Sequence, residues 1–326
     1  MKEIKIGFIG CGGNANGHMN QLAEIDGARV VAVCDIQAER AQSAAESHNA
    51  DSYTAHQALL ERDDLDAVYL SLPVFAHRQP ELDVIERGLP FFVEKPVAIN
   101  MEIAREVEAA VANAGLITCV GYQLRYLGST QITQQILQGR TINMVVGKYW
   151  CSTGHGDPNA WLRQMGRSGG QLVEQATHTI DMMRYMGGEV ETVYAMQANR
   201  FLKETDCPDA NSVALQFSSG AVGSLTATWA YAGDWANANV LDLLYEEELL
   251  NWNPSRVLVQ EDGEWVDKTE PSPTIDEVFV DAVRSGDASS ILSPYSDAVK
   301  TLAISLAANQ SAQENRPIAI SEILDQ

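Results

Sequence analysis

Along the first third of the chain, short β-branched apolar runs alternate with longer stretches of helical composition. Ile4, Ile6, Phe8 and Ile9 form one run, and a second over 30–34 ends in Asp35. Runs over 66–71, 91–93 and 116–120 predict three further strands, the first of them ended by Pro73. Between the runs, 18–25, 37–47, 79–86 and 101–114 read as helices, the third stopping at Gly88. Short apolar strands separated by helices of about ten residues predict a doubly wound α/β fold, a parallel sheet covered on both faces.

Beyond Tyr126 the period changes. One more helix is expected over 130–137, followed by strands over 144–151, 192–198, 212–217, 222–229, 240–245 and 256–260. Ser218-Ser219-Gly220 and Glu261-Asp262-Gly263 read as hairpin turns, which would make their flanking strands antiparallel. Helices over 275–284 and 295–314 close the chain, the second with apolar residues at 299, 302, 303 and 306. The pattern predicts a separate α+β domain, with the division at 1–122 and 123–326.

Composition narrows the function classes. A chain of 326 residues exceeds one small core and fits two domains. Its net charge of −22 argues against nucleic acid or an anionic membrane as partner. No apolar run approaches the length of a membrane-spanning helix. Met1-Lys2-Glu3 leads straight into the first predicted strand, and no signal peptide is expected. The five cysteines are scattered without metal-type spacing and read as reduced thiols of a cytoplasmic protein. No metal site is expected.

The first strand runs directly into Gly10-Cys11-Gly12-Gly13-Asn14-Ala15, a G-x-G-x-x-A turn. Gly10 permits the tight turn, Gly12 lets a pyrophosphate approach bare backbone, and Ala15 lets the next helix sit close to the strand. Gly13 and Asn14 complete a loop whose N–H groups, with the helix dipole, hold phosphate. Asp35, at the end of the second strand, is placed to accept hydrogen bonds from an adenosine ribose and to repel a 2′-phosphate. NAD is therefore favoured over NADP.

Ligands of such sheets bind beyond the carboxyl ends of the strands. Three groups fall there: Ser71-Leu72-Pro73 with His77, Glu94-Lys95-Pro96, and Gly121-Tyr122 with Arg125. An ammonium at Lys95 could stabilise the alkoxide that forms during hydride transfer; a surface lysine paired with Glu94 fits the position equally. His77 could line the cofactor pocket or cap a helix. In the second half, Glu174, His178 and Asp181 are spaced i, i+4, i+7 and, on one continuous helix, share a face. Leu172, Ala176, Ile180 and Met183 would face the core. A histidine flanked by carboxylates is a credible general base, and a surface Glu–His pair is the other reading.

Taken in order, the glycine fingerprint, Glu94-Lys95-Pro96, Gly121-Tyr122-x-x-Arg125, and Gly169-Gly170 ahead of an acid-x-x-x-His-x-x-Asp segment resemble the glucose–fructose oxidoreductase / inositol dehydrogenase family. The resemblance covers nearly the whole chain. It implies a Rossmann domain followed by an open-faced, mostly antiparallel sheet, with NAD(P)-dependent oxidation of a secondary hydroxyl on a sugar or cyclitol, or the reverse. It implies a homodimer or homotetramer, and a Lys95–Pro96 bond that is often cis. Lys95 would polarise the substrate oxygen and His178 would exchange its proton.

Further contacts are implied on both sides of that reaction. Ser71, Leu72, Pro73, His77, Glu94, Lys95 and Gln123 would join the glycine loop and Asp35 around the cofactor. Tyr122, Arg125, His155, Trp161, Arg163, Glu174 and His178 would join Lys95 around the substrate. Two positions depart from the family. Glu174 stands where aspartate is usual, and Pro73-Val74 stands where Pro-Asn is usual, which removes one expected polar contact to the cofactor. Two other classes share such a chain, an NAD-bound sugar sensor without turnover and a glycosidase that oxidises its substrate only transiently.

Overall fold

Six strands form the first sheet: β1 (Ile4–Ile9), β2 (Ala28–Cys34), β3 (Asp51–Tyr53), β4 (Ala67–Leu70), β5 (Phe91–Val93) and β6 (Thr118–Val120). Their order is β3-β2-β1-β4-β5-β6 and every pairing is parallel. The computed structural model describes residues 2–152, 157, 160–233 and 238–325. Because β1 lies beside β4, the winding reverses between them and opens a crevice beyond their carboxyl ends. Helices Gln79–Glu86 and Met101–Ala114 have the predicted limits. The helix expected over 18–25 begins instead at Gly13 and ends at Ala23, because the turn at Gly10 delivers the chain straight into helix. Strand β3 and helix His56–Leu60 carry no apolar period and were not foreseen.

The division at 1–122 and 123–326 needs correction. The first unit comprises Met1–Ala98, Glu102–Gly121 and also Pro273–Val299. Thr274 caps helix Ile275–Ser285 with a reciprocal Thr274/Glu277 pair, and Gly286 ends it in the left-handed region. Phe279 of that helix packs edge-on against Tyr69 and Phe92, with ring centroids 5.4 and 6.1 Å away. Burial of this apolar face on β4 and β5 draws the segment back to the first sheet.

The second unit comprises Ile99–Met101, Tyr122–Ser272 and Lys300–Gln326. Its strands are β7 (Ile142–Trp150), β8 (Val190–Ala198), β9 (Ala210–Phe217), β10 (Val222–Thr228), β11 (Asn239–Tyr245), β12 (Glu248–Asn253), β13 (Arg256–Glu261), β14 (Glu264–Asp267) and β15 (Ile318–Ala319). They form one sheet, β14-β13-β12-β11-β7-β10-β9-β8-β15, antiparallel except where β7 meets β10. Both expected hairpins are present. Burial alternates along β9 and β10, so one face is packed and the other is exposed. Helix Thr177–Gly187 covers the packed face, and close contact requires Gly147, where a Cβ would stand 3.0 Å from the Met183 sulfur. Among the described residues no helix is long and apolar enough to cross a membrane.

Candidate active site

In the first unit the site begins at the end of β1. Gly10 has φ +98°, and a Cβ there would lie 2.1 Å from the Ser71 carbonyl oxygen, so only glycine fits. At Gly12 and Gly13 a Cβ would meet nothing within 4 Å. That open space lies before the first turn of helix Gly13–Ala23, whose leading N–H groups have no intrahelical acceptors. The arrangement fits a diphosphate.

Asp35 binds this loop in place. Its Oδ2 accepts the Cys11 N–H at 3.0 Å and its Oδ1 accepts the Gln37 N–H at 2.9 Å. Each carboxylate oxygen keeps further acceptor capacity, which suits the hydroxyls of a ribose. Ser71, Leu72 and Pro73 are half-buried at the end of β4, and Val74 turns into the core.

His77, expected either to line the cofactor pocket or to cap a helix, is buried. Its Nδ1 pairs with buried Glu81 and its Nε2 donates to the Leu72 carbonyl at 3.2 Å. Burial works against the charged ring, but Glu81 overcomes it and raises the His77 pKa. His77 thus braces the β4 loop.

Glu94 and Lys95 follow β5, and the Lys95–Pro96 bond is cis. Glu94 is buried: Oε1 meets His18 Nε2 at 3.1 Å, and Oε2 accepts the Lys95 backbone N–H at 3.1 Å. Lys95 itself is half-buried at the carboxyl edge of the sheet.

The second unit carries Glu174 and His178, and here the continuous helix expected across 171–181 is broken. Helix Gly170–Glu174 ends at Gln175, with φ −120° and ψ −51°, and helix Thr177–Gly187 begins afresh. Glu174 and His178 are both half-buried on either side of the break. Leu172, Ala176, Ile180 and Met183 face the core as predicted. Asp181 does not flank the histidine in an open site. It is fully buried and accepts Arg125 Nε at 2.8 Å and Nη2 at 2.6 Å, together with Thr301 Oγ1 at 2.8 Å.

Arg125, expected among the substrate contacts, is engaged in that pairing. Its side chain is 2% exposed and stacks 4.8 Å from the Tyr185 ring. Tyr122 is buried as well: its hydroxyl lies 2.9 Å from Thr177 Oγ1, and its ring meets that of His178 edge-to-face at 6.2 Å. It is a wall behind the histidine. Trp161 is half-buried and Arg163 buried in the turn Trp161–Arg163, while Gln123 is exposed. His155 lies outside the described residues.

Sequence reasoning missed three residues that set these groups. His18 and Asp276 support Glu94, and Gln175 shapes the helix break. No local signal links His18 to a partner 258 positions away. The acid-x-x-x-His spacing concealed Gln175, because it fits an unbroken helix.

Comparisons with known proteins agree with this layout. The model of the oxidoreductase family with an NAD-binding Rossmann fold matches residues 4–122, and that of the GFO/IDH/MocA C-terminal domain matches 138–244. The uncharacterized oxidoreductase YrbE of Bacillus subtilis is 30% identical over 68% of this chain and 66% of its own length. Inositol 2-dehydrogenase of Ralstonia nicotianae is 30% identical over 57% of this chain and 55% of its own. These alignments therefore span between about half and two thirds of the relatives' lengths. Among solved structures, the WlbA dehydrogenase of Bordetella pertussis, bound to NADH and UDP-GlcNAcA, has a TM-score of 0.85 at 24% identity, over 98% of this chain and 99% of that one. Levoglucosan dehydrogenase bound to NADH and levoglucosan gives 0.87 at 20% identity, over 98% and 100%. Both family models match in order along one chain with the corresponding sheets, and the protein belongs to the GFO/IDH/MocA family of oxidoreductases.

Proposed function

We propose that this oxidoreductase transfers a hydride between a secondary hydroxyl of a sugar or cyclitol and NAD. The supporting observation is the position of Lys95 at the carboxyl end of β5, on the same sheet edge as the glycine loop of β1 and separated from it by one strand, β4. The nicotinamide, when bound, supplies the hydride acceptor. Lys95 donates a hydrogen bond to the reacting oxygen and stabilises the negative charge that develops on it. His178 takes the hydroxyl proton, and Glu174 offers a carboxylate that favours the protonated ring. Asp35 selects NAD over NADP, because its charge stands where a 2′-phosphate would lie.

Relatives that act on inositol and on glucose 6-phosphate favour the same substrate class. A second reading is a glycosidase that oxidises its substrate only transiently, without net release of reduced cofactor; a 27% identical relative is named a hydratase of 2,7-anhydro-N-acetylneuraminate, and hydration involves no net redox change. The exposed sheet face, with Met196, Val222 and Met144 on it, suits burial against a second copy in a dimer or tetramer. All five cysteines are buried and none is in a disulfide, in keeping with a reducing cytoplasm.

The test is reduced-nicotinamide absorbance across cyclitols, aldoses, anhydrosugars and sugar acids, with Lys95→Ala and His178→Ala as controls. A signal with one substrate class, lost in both variants, supports the assignment. Turnover retained within a few-fold in both variants refutes it, and product formed without accumulated NADH supports the second reading.

A further inference from the structure

One imidazole joins three segments of the first unit that are distant in sequence. His18, on the helix that follows the glycine loop, places Nδ1 at 2.8 and 2.9 Å from the two carboxylate oxygens of Asp276. Its Nε2 lies 3.1 Å from Glu94 Oε1. Asp276 is fully buried and also accepts the Tyr69 hydroxyl at 3.0 Å. The ring is enclosed by Phe92 and Tyr69, with centroids 4.7 and 5.7 Å away.

Ionised carboxylates can only accept hydrogen bonds, so a ring that serves one at each nitrogen must donate from both. The arrangement calls for an imidazolium, and its charge compensates two buried carboxylates that would otherwise repel each other. Glu94 is then held at both oxygens. Oε1 is fixed by His18, while Oε2 holds the Lys95 backbone N–H and fills the space over Gly121, where a Cβ would come within 2.9 Å of it.

We infer that His18 is a positioning residue: clamped by Asp276, it immobilises Glu94 and thereby the backbone from which Lys95 reaches the reacting oxygen. The inference rests on the role proposed for Lys95. It also links the glycine-loop helix to the strand end that bears the lysine. The groups that face His18 are Asp276 from helix Ile275–Ser285, Tyr69 from β4, and Phe92 and Glu94 from β5 and its end. Desolvation opposes the ring's charge, but hydrogen bonds to Asp276 and Glu94 outweigh it and raise the pKa to about 9.

The test compares wild type with His18→Gln, Glu94→Gln and the double variant. Four quantities are read: turnover, NADH affinity by fluorescence, melting temperature, and pH titrations of the histidine rings and the Lys95 amide by NMR. In folded protein each single change should lower kcat on the order of 10-fold or more, since small misplacement of a reacting group is costly. NADH affinity should stay within about 3-fold, and the double variant should be no worse than the poorer single one, because all three break the same link. In the wild type the Lys95 amide shift should follow the His18 titration near pH 9. Glu94→Gln should bring that ring titration down.

Unchanged kcat in a folded His18→Gln variant, effects that multiply in the double variant, or a Lys95 amide indifferent to the His18 titration would each overturn the inference. The amide readout needs no turnover. If Lys95→Ala proves fully active, the role proposed for Lys95 fails on its own account, while the amide still decides whether His18 holds the lysine backbone.

Discussion

The indole Nε1 of Trp229 donates to Gln175 Oε1 at 2.6 Å, inside the break between the helix that ends at Glu174 and the helix that carries His178. Cys151 Sγ meets the same oxygen at 3.1 Å, and burial keeps its thiol protonated by raising the pKa to about 12. Two donors on one amide oxygen fix the residue at which the backbone leaves helical geometry. Without them, 171–181 could wind as one helix, and Glu174 would turn relative to His178.

Gln175→Leu should therefore cost more than packing. It leaves the buried indole N–H unsatisfied, a loss of about 1–3 kcal/mol. It should also reduce kcat on the order of 10-fold by disturbing the orientation of Glu174 and His178. Trp229→Phe should produce much of the same loss, and combining the two should add little. Melting curves and steady-state kinetics on the three variants decide the matter. Fully additive effects would mean that the contact does not shape the break.

The glycines of the first turn separate folding from binding. Gly10→Ala must adopt φ +98° and push a Cβ to within 2.1 Å of the Ser71 carbonyl, so it should destabilise the chain by several kcal/mol (about 3 or more). Gly12 has φ −74° and open space around its missing Cβ. Gly12→Ala should keep the melting temperature of the ligand-free protein yet weaken NADH binding by about 10-fold or more, by blocking phosphate approach. Calorimetry paired with an NADH titration checks both.

These cases show what could be read from the chain. Helices Gln79–Glu86 and Met101–Ala114 and strand β5 were legible because apolar period, stop signals and length agree there. The glycine loop and Asp35 were legible because a diphosphate site needs those residue types at that spacing. Strand β3, with exposed Asp51 and Ser52, and β15, two residues long, have no pattern to read. They exist because a neighbouring strand offers hydrogen bonds. The pairing of Arg125 with Asp181 was hidden for another reason. Charge suggested a site, whereas two residues 56 positions apart in sequence meet inside the fold.

The Arg125–Asp181 pair makes the sharpest contrast between a structural and a binding role. Arg125→Met would leave Asp181 buried with Thr301 Oγ1 as its remaining neutral donor among the contacts described. Removing one partner of such a pair costs roughly 3–5 kcal/mol. The variant should melt far lower than the wild type, while the KM of whatever fraction stays folded remains close to the original. A raised KM at unchanged stability would instead return Arg125 to the substrate.

The pH dependence of stability follows from His18 with a definite sign. Its folded pKa, about 9, exceeds the ordinary 6.5, so the folded chain holds this proton more tightly than the unfolded chain does. The resulting stabilisation is complete below pH 6.5, declines as pH rises, and is gone above 9. His77, raised by Glu81, acts in the same direction and remains in a His18→Gln variant. The difference in melting temperature between wild type and His18→Gln isolates the first effect. It should be greatest near pH 6 and shrink steadily towards pH 9.5, because the neutral ring of the wild type then loses one of its two carboxylate bonds. A difference constant across that range would mean that the imidazole carries no extra proton in the folded chain.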